Sequence, residues 1–238
     1  MERLIQDARL AVRTLRRSPG VTVLAVMCMA LGIGTVTTMY GTASAFTFRP
    51  LPQVRGADRL MHVWEAPASA PRNNVTLSPA VLDDLRRLPE FNAVAAATVD
   101  VVNIAGIDVP ERVRVAQVSA DFLRALGRAP VLGRDFVAAE ELAGSDRVVI
   151  LTHGLWRRRF GGDPAVIGRI VTIDGVGHEV VGVLPGDFVF PSGTDILVPL
   201  GLDPAVRANR RWRTLIAFGR RAPGVTEAQA RAAVAALG

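Results

Sequence analysis

The sequence predicts an α+β protein with one transmembrane helix at its N-terminus and a water-exposed domain after it. Three observations carry this prediction. First, the residues between Arg17 and Arg49 carry no charge. Second, strand-like and helix-like segments alternate after Pro52, which is typical of an α+β domain. Third, glycine or proline recurs every few residues from Arg128 onward, which predicts that a β-rich subdomain interrupts this domain.

Residues 1–20 are predicted to form an amphipathic basic helix on the cytoplasmic side of the membrane. Apolar side chains fall on one helical face, and Ser18-Pro19-Gly20 ends the helix. Five arginines against Glu2 and Asp7 give this segment 5 − 2 = +3, half of the formal net charge of +6. The other charges are spread along the chain without a basic stripe. This distribution favours contact with membrane lipid and argues against nucleic-acid binding.

Residues 21–46 are predicted to cross the membrane once. About 25 helical residues span ~38 Å, enough for a hydrocarbon core of ~30 Å. The arginines ahead of the span keep the N-terminus in the cytoplasm, so the main domain is expected in the periplasm or outside the cell. Two alternatives remain, namely a buried helix of a globular protein and a signal peptide cleaved after Ala45. The apolar stretch is longer than the usual ~7–15 residues of a signal peptide, which favours the anchor.

A stripe of small side chains runs along the predicted membrane helix. Its members are Ala30, Gly34, Thr38 and Thr42, which repeat at every fourth position. Small residues at this spacing let a second helix approach closely, so we expect another membrane helix to pack there. The alternative is that small residues are simply common in membrane helices.

The exterior chain divides into three predicted parts, residues 47–127, 128–204 and 205–238. The first is expected to hold strands at 60–65, 94–104 and 111–118, a turn at 106–108, and helices at 79–88 and 120–126, capped by Ser78 and Ser119 and with Gly127 ending the second helix. The second is expected to hold strands at 147–151, 170–173 and 179–184. The third, incomplete, is expected to hold a strand at 214–219 and a helix at 226–237.

The search for chemistry finds no catalytic, cofactor-binding or metal-binding residues. All basic residues are arginine, so neither a P-loop lysine nor a Schiff-base lysine exists. His62, His153 and His178 stand singly without zinc spacing. Gly32-Ile33-Gly34 lacks the third glycine of a dinucleotide loop. We therefore expect no enzyme activity, no cofactor and no metal.

Several charged segments have a structural interpretation. Asp83-Asp84 and Glu140-Glu141 are expected to be solvated faces or helix-start charges. Residues 156–160 (WRRRF) mix arginine with aromatic side chains, and a binding patch is one interpretation. An ordinary amphipathic helix anchored by Leu155 and Trp156 is the favoured one. The single cysteine, Cys28, lies in the apolar run and excludes a disulfide within the exterior chain.

Several ordered motifs resemble MacB-like and FtsX-like permeases, particularly the duplicated orphan permeases. The similar strings cover nearly the whole chain: DARLAVRTLRRSPGVTVLAVMCMALGIG from Asp7, FTFRPLP ending at Pro52, ERVRVAQVSADFLRAL from Glu111, LGRDF from Leu132, VVILTHGLWRRRFGGDPAVIGR from Val148, VVGV from Val180, DFVFP from Asp187 and PGVT from Pro223.

The resemblance implies the N-terminal part of an ABC-type permease with a MacB-like periplasmic core domain. That domain is expected to be porter-like in residues 47–127 and 205–238, with the β-rich part inserted between them. It implies work with a separate ABC ATPase and brings no catalytic residue. Related permeases continue into further membrane helices, so the chain is expected to be either a fragment or a truncated form. The rival hypotheses are a single-span anchored binding or scaffold module and a secreted enzyme.

Overall fold

The structure is a computed structural model that describes residues 19–20, 27–30, 54, 56–65, 75–105, 109–188 and 190–237. The chain divides into two units, Met1–Pro50 and Leu51–Gly238. In the first unit, residues 19–20 and 27–30 are helical and exposed. Within the described ranges no helix has the length and apolar character needed to cross a bilayer. The basic helix 1–20 and the span 21–46 lie mostly outside those ranges and stay predictions.

The described strands of the second unit form one mixed sheet. They are β1 (Leu60–Val63), β2 (Phe91–Ala105), β3 (Glu111–Val118), β4 (Leu132–Gly133), β5 (Val148–Leu151), β6 (Ile170–Ile173), β7 (Val176–Val183), β8 (Ile196–Pro199) and β9 (Ile216–Arg221). The order across the sheet is β1-β9-β2-β3-β8-β5-β7-β4, and β6 pairs with β2 and β7. The pairs β3–β8 and β5–β7 are parallel, whereas the other strand pairs are antiparallel.

Five α-helices accompany these strands in the described chain. They are α1 (Pro79–Arg86), α2 (Phe122–Ala125), α3 (His153–Phe160), α4 (Pro204–Arg207) and α5 (Glu227–Ala235), with 3-10 turns at Ala57–Arg59, Ala138–Glu141 and Pro164–Val166. Proline stands in the first turn of α1 and α4, where its missing N–H costs no helical hydrogen bond. Helix α5 begins with a capping box in which Thr226 and Gln229 satisfy each other's backbone N–H groups.

Apolar clusters lie on both faces of the sheet, because the side chains along each strand alternate between the two faces. On one face, Ala95 and Ala97 of β2 pack with α2 through Phe122 and Leu123. On the other face, Val94 and Ala96 belong to a cluster with Leu82 and Leu85 of α1 and Ala230 of α5. Further along that same face, Ile104 belongs to a cluster with Leu155 and Phe160 of α3. Each fully buried leucine or phenylalanine contributes about 1.5–3 kcal/mol.

Most elements agree with the sequence-based expectations. Strand β3 has the predicted bounds, the predicted strand 60–65 contains β1, and Gly127 ends α2 with a φ of 67°. Strands β4 and β8 were not predicted. The turn expected at 106–108 lies outside the described residues, although the flanking strands β2 and β3 pair antiparallel as a hairpin requires.

Two expected helix caps differ from the structure. Ser78 does stand at the N-cap of α1, but its hydroxyl makes no capping hydrogen bond. Ser119 does not cap α2, which begins at Phe122 after Asp121. Its buried hydroxyl instead accepts a hydrogen bond of 2.9 Å from the backbone N–H of Ala96 on β2. A serine hydroxyl can bond either to its own helix or to a neighbouring strand. Tertiary packing decides which partner it takes, and the local sequence does not contain that information.

The β-rich segment 128–204 shares the sheet with the rest of the domain. Strand β8 pairs with β3 in parallel, and β6 pairs with the end of β2. The final part, 205–238, contributes β9, which lies between β1 and β2. The three-part division, with the middle part as an inserted subdomain, stays a prediction.

Candidate functional site

An arginine–carboxylate network ties α1 to two distant segments. Arg86 of α1 forms a bidentate pair with Glu141 of the 3-10 turn, with Nη2–Oε1 and Nη1–Oε2 distances of 2.6 and 2.9 Å. Glu141 is only 5% exposed. Its Oε1 also accepts a hydrogen bond of 2.5 Å from the backbone N–H of Ala120, just ahead of α2. The planar guanidinium group of Arg86 makes two charge-assisted hydrogen bonds to the carboxylate, and it thereby fixes the orientation of the pair better than a lysine ammonium group would.

The network continues from α1 to α4 through Asp83. Arg207 of α4 donates from Nε and Nη2 to the two oxygens of Asp83 at 2.7 and 2.9 Å. Arg86 adds a third contact at 3.3 Å. Burial alone would raise the pKa of Asp83, but the hydrogen bonds and charges of Arg207 and Arg86 hold this pKa below its usual value. Asp83 is therefore ionised across the physiological range.

The outer part of the network is exposed and weaker. Asp84 accepts from Arg210 at 2.7 Å and from Arg87 at 3.2 Å. Arg87 is 78% exposed, so its pair with Asp84 is screened by water and salt.

Of the two interpretations of Glu140-Glu141, the solvated face is wrong because both side chains are buried, whereas both residues do stand in the first turn of the 3-10 helix Ala138–Glu141, as helix-start charges would. Glu140 is 8% exposed and forms a bidentate pair with Arg134 at 2.7 and 3.2 Å. Its Oε2 also accepts from the backbone N–H of Val137. Both carboxylates face the protein because each has a guanidinium partner, without which their burial would be costly.

The segment 156–160 is part of the amphipathic helix α3, as its favoured interpretation predicted. The hydroxyl of Thr152 caps the helix, and Leu155 and Phe160 are buried. Arg158 pairs with Glu111 at 2.9 Å and with Asp195 at 3.3 Å. These pairs hold α3 against β3 and the start of β8, so Arg158 is engaged within the fold.

The three histidines lie apart. His62 of β1 stacks on Phe218 with a ring-centroid distance of 4.8 Å, and partial burial lowers the pKa of this imidazole. His153 packs edge-on against Trp156, and His178 Nδ1 lies 3.0 Å from the carbonyl oxygen of Val176. The described residues contain no group of three or more potential metal ligands.

The predicted packing stripe falls mostly outside the described residues. Ala30 is helical and exposed. Gly34, Thr38 and Thr42 are not among the described residues, nor is the Gly32-Ile33-Gly34 segment, so the stripe stays a prediction.

Sequence reasoning missed the network of α1. The signal that could have found it is local: the string DDLRR places carboxylates and arginines three residues apart on one helical turn. The partners Glu141 and Arg207 lie 55 and 124 residues further along the chain, and nothing in the local pattern indicates them.

The fold is similar to that of several solved structures, of which three are described. The periplasmic region of MacB from Actinobacillus actinomycetemcomitans has 13% sequence identity and a TM-score of 0.59, covering 80% of this chain and 86% of that one. The extracellular domain of the noncanonic ABC-type transporter YknZ from Gram-positive bacteria has 16% identity and a TM-score of 0.54, covering 75% and 91%. A domain of a putative permease protein from Porphyromonas gingivalis has 17% identity and a TM-score of 0.60, covering 77% and 84%.

A comparison with curated protein sequences gives no match. The match to a family is nevertheless extensive, since residues 22–237 fit the MacB-like periplasmic core domain family, which also accounts for the shared fold. With nearly all of its length inside that match, the chain belongs to the MacB-like periplasmic core domain family of ABC-type transporter permeases.

Proposed function

We propose that this chain is the N-terminal part of an ABC-type permease that takes part in ATP-driven export or mechanotransmission across the membrane without hydrolysing ATP itself. The observation that carries the proposal is the family match over residues 22–237. A separate ABC ATPase supplies the hydrolysis, and the chain needs no catalytic residue of its own.

The membrane arrangement follows from the charges of the N-terminal segment. Residues 21–46 cross the bacterial inner membrane, the arginine-rich N-terminus stays in the cytoplasm and the main domain lies in the periplasm. The small-residue stripe at Ala30, Gly34, Thr38 and Thr42 packs against other permease helices. Motion of those helices then reaches the exterior domain through residues 47–56.

The ion-pair network suits a domain that transmits motion. Arg86 links α1 to the turn at residues 138–141, and Asp83 links α1 to α4. Paired, hydrogen-bonded charges at these junctions resist sliding of one element past another, because any shift separates groups that are partly shielded from water. A displacement at one end of the domain is thereby carried to the rest of the domain.

The test is co-purification of an ATPase with the permease from native membranes. Wild-type protein, tagged and extracted in mild detergent, is expected to bring down vanadate-sensitive ATPase activity. Gly34→Leu/Thr38→Leu is expected to lose most of this activity, since leucine side chains would fill the packing stripe.

The matched control places leucines on the opposite helical face. Gly32→Leu/Val36→Leu makes similar replacements at the same spacing and is expected to retain the activity. If Gly34→Leu/Thr38→Leu assembles like wild type, the packing stripe is wrong. If wild-type protein brings down no ATPase at all, the chain is better described as a single-span scaffold or binding module without a transport role.

A further inference from the structure

An open cavity lies on the sheet face that carries α1, α3 and α5. Helix α3 covers one end of this face, whereas α1 and α5 cover the other. Between them β2 and β3 are left partly uncovered. The gap is a cavity of about 410 Å³ with an apolar floor that includes Val102, Val115 and Val198. This volume lies within the range of ~300–1,000 Å³ that is typical of small-molecule sites.

The cavity carries negative charge without a cationic partner. Asp146 and Asp203 line it, and none of the described residues that line it is an arginine. Neither carboxylate forms an ion pair with a described arginine, in contrast to Asp83 and Glu141 in the neighbouring network. Asp100 adds a third carboxylate close by, since its register partner on β3 is Val115 of the cavity floor. Among the described residues, this cavity therefore combines carboxylates that have no arginine partner with open apolar surface.

In each of the two carboxylates that line the cavity, one oxygen accepts no hydrogen bond from the described residues. Oδ1 of Asp146 accepts from the backbone N–H of Gly144 at 2.9 Å, and Oδ1 of Asp203 accepts from that of Ala205 at 2.8 Å. The described residues give their Oδ2 atoms no hydrogen bond. Because the partner of His178 Nδ1 is a carbonyl oxygen, Nδ1 carries a proton, and in the neutral imidazole Nε2 is then an acceptor. The free polar groups are therefore mainly acceptors.

An aromatic wall completes the cavity. Trp212 lines it with its side chain 40% exposed. An indole face attracts cations and covers apolar groups equally well. Acceptors, carboxylates, an indole and an apolar floor together complement a ligand that joins a protonated amine to an apolar body.

We propose that this cavity binds a small amphipathic organic cation. The site belongs to the exterior domain by itself, and its binding does not depend on whether the chain takes part in transport. Asp146 and Asp203 hold the ammonium group, while Trp212 and the valines of the floor cover the apolar body.

The first test compares two probes that share an apolar body and differ in charge. Phenethylammonium and 3-phenylpropionate are titrated against the full chain in zwitterionic lipid nanodiscs, with empty nanodiscs subtracted, and binding is measured by saturation-transfer NMR and calorimetry. Phenethylammonium is expected to bind saturably and more weakly at high salt, whereas 3-phenylpropionate shows no saturable binding. Equal binding of the two probes, or none of the cation, overturns the proposal.

The second test removes the charges and keeps the local hydrogen bonds. Asp146→Asn/Asp203→Asn retains both backbone-bonded acceptor oxygens, because the amide oxygen of asparagine replaces Oδ1 of each carboxylate, and asparagine is also a good N-cap at position 203. It is expected to weaken phenethylammonium binding about tenfold or more. The control is Glu179→Gln. Glu179 follows His178 on β7, so its exposed carboxylate points to the opposite face of the sheet, and the variant is expected to bind like wild type.

Unchanged affinity in the double variant would overturn the assignment of the site, as would an equal loss in Glu179→Gln. Thermal unfolding of each variant, followed by tryptophan fluorescence, verifies that a loss of binding is not a loss of fold.

Discussion

Asp135 is a carboxyl group whose environment disfavours its charge. Burial, together with the negative charges of Asp121 and Glu140, raises the pKa of Asp135 to about 6, against the hydrogen bond from the backbone N–H of Phe136 and the charge of Arg124. The folded state therefore holds a proton that the unfolded chain, with a pKa of ~3.9, gives up earlier. The stabilising contribution of this group is fully present below pH ~4 and is lost as pH rises through about 6.

Asp135→Asn is expected to stabilise the domain above pH 7 and to have little effect at pH 4. Asparagine keeps an acceptor for the N–H of Phe136 and carries no charge to bury. After allowance for partial exposure, the gain at pH 7.5 is ~1–2 kcal/mol, which corresponds to a rise in melting temperature of ~2–8 °C. Tryptophan fluorescence of the full chain in nanodiscs measures it, because Trp64, Trp156 and Trp212 all lie in the exterior domain.

Asp100→Asn is the control for the general effect of removing one negative charge. It removes an exposed carboxylate from β2, so the difference in stability between the two variants reports the effect of the environment of Asp135. A gain for Asp135→Asn that is the same at pH 4 and pH 7.5 would contradict the raised pKa.

For individual residues, the sequence indicated which types of side chain form ion pairs better than it indicated which residues pair with each other. The absence of lysine is visible in the sequence, and it fits the bidentate pairs that Arg86, Arg134 and Arg207 make. The burial of Glu140 and Glu141 was not foreseeable from two adjacent glutamates. Charged side chains are buried only when a partner reaches them, and the partner of Glu141 lies 55 residues away.

Between elements, the bond from Arg86 to Glu141 is the strongest candidate for a junction that holds α1 in place. Its two side chains are 19% and 6% exposed. Arg86→Met leaves Glu141 charged, buried and without its main partner, so we expect a loss of ~2–4 kcal/mol in the free energy of unfolding. Arg86→Met/Glu141→Met removes both charges and is expected to lose less than the sum of the two single variants.

The neighbouring Arg87 is a matched control for this double-mutant cycle. It also pairs with an aspartate of α1 but is 78% exposed, so Arg87→Met is expected to cost ~0.5 kcal/mol or less. Urea unfolding of the full chain in nanodiscs gives the change in the free energy of unfolding for Arg86→Met, Glu141→Met, the double variant and Arg87→Met. Equal costs for Arg86→Met and Arg87→Met would show that the buried pair does not hold α1.

Elements with a clear local period were predictable, and those without one were not. Strand β3 alternates polar and apolar residues from Arg112 to Val115, and α5 carries the capping-box pair Thr226 and Gln229. Strand β8 was missed because Ile196-Leu197-Val198-Pro199 shows no alternation. It lies inside the sheet between β3 and β5, where both faces are covered and every position can be apolar.

For the whole molecule, the α+β class and its family were predictable, but the strand order was not. Turn spacing and alternation predicted seven of the nine described strands, whereas the pairing of strands depends on contacts between distant segments. Strand β8 joins β3 from about 80 residues away, and β9 inserts between β1 and β2 from the far end of the chain. Such crossovers bring together segments that the middle part separates in sequence, so the predicted boundary at residue 128 does not divide the sheet.

The orientation of the whole chain in the membrane is the remaining prediction, and the single cysteine makes it testable. In a Cys28→Ser background, Gln6→Cys places a thiol ahead of the predicted span and Glu179→Cys places one on the exterior domain. A membrane-impermeant maleimide added to intact cells is expected to label the thiol at position 179, whereas position 6 is labelled only after the membranes are opened. Because five arginines precede the span, the positive-inside rule requires this asymmetry.

Intact mass of the same labelled protein separates an anchor from a cleaved signal peptide. An anchored chain keeps its N-terminal residues and stays with the membrane fraction. Loss of the segment that ends at Ala45, together with release from the membrane, would rule out the anchor and with it the packing stripe. Labelling of position 6 in intact cells would reverse the orientation and place the exterior domain in the cytoplasm, where no member of a periplasmic core domain family is expected to act.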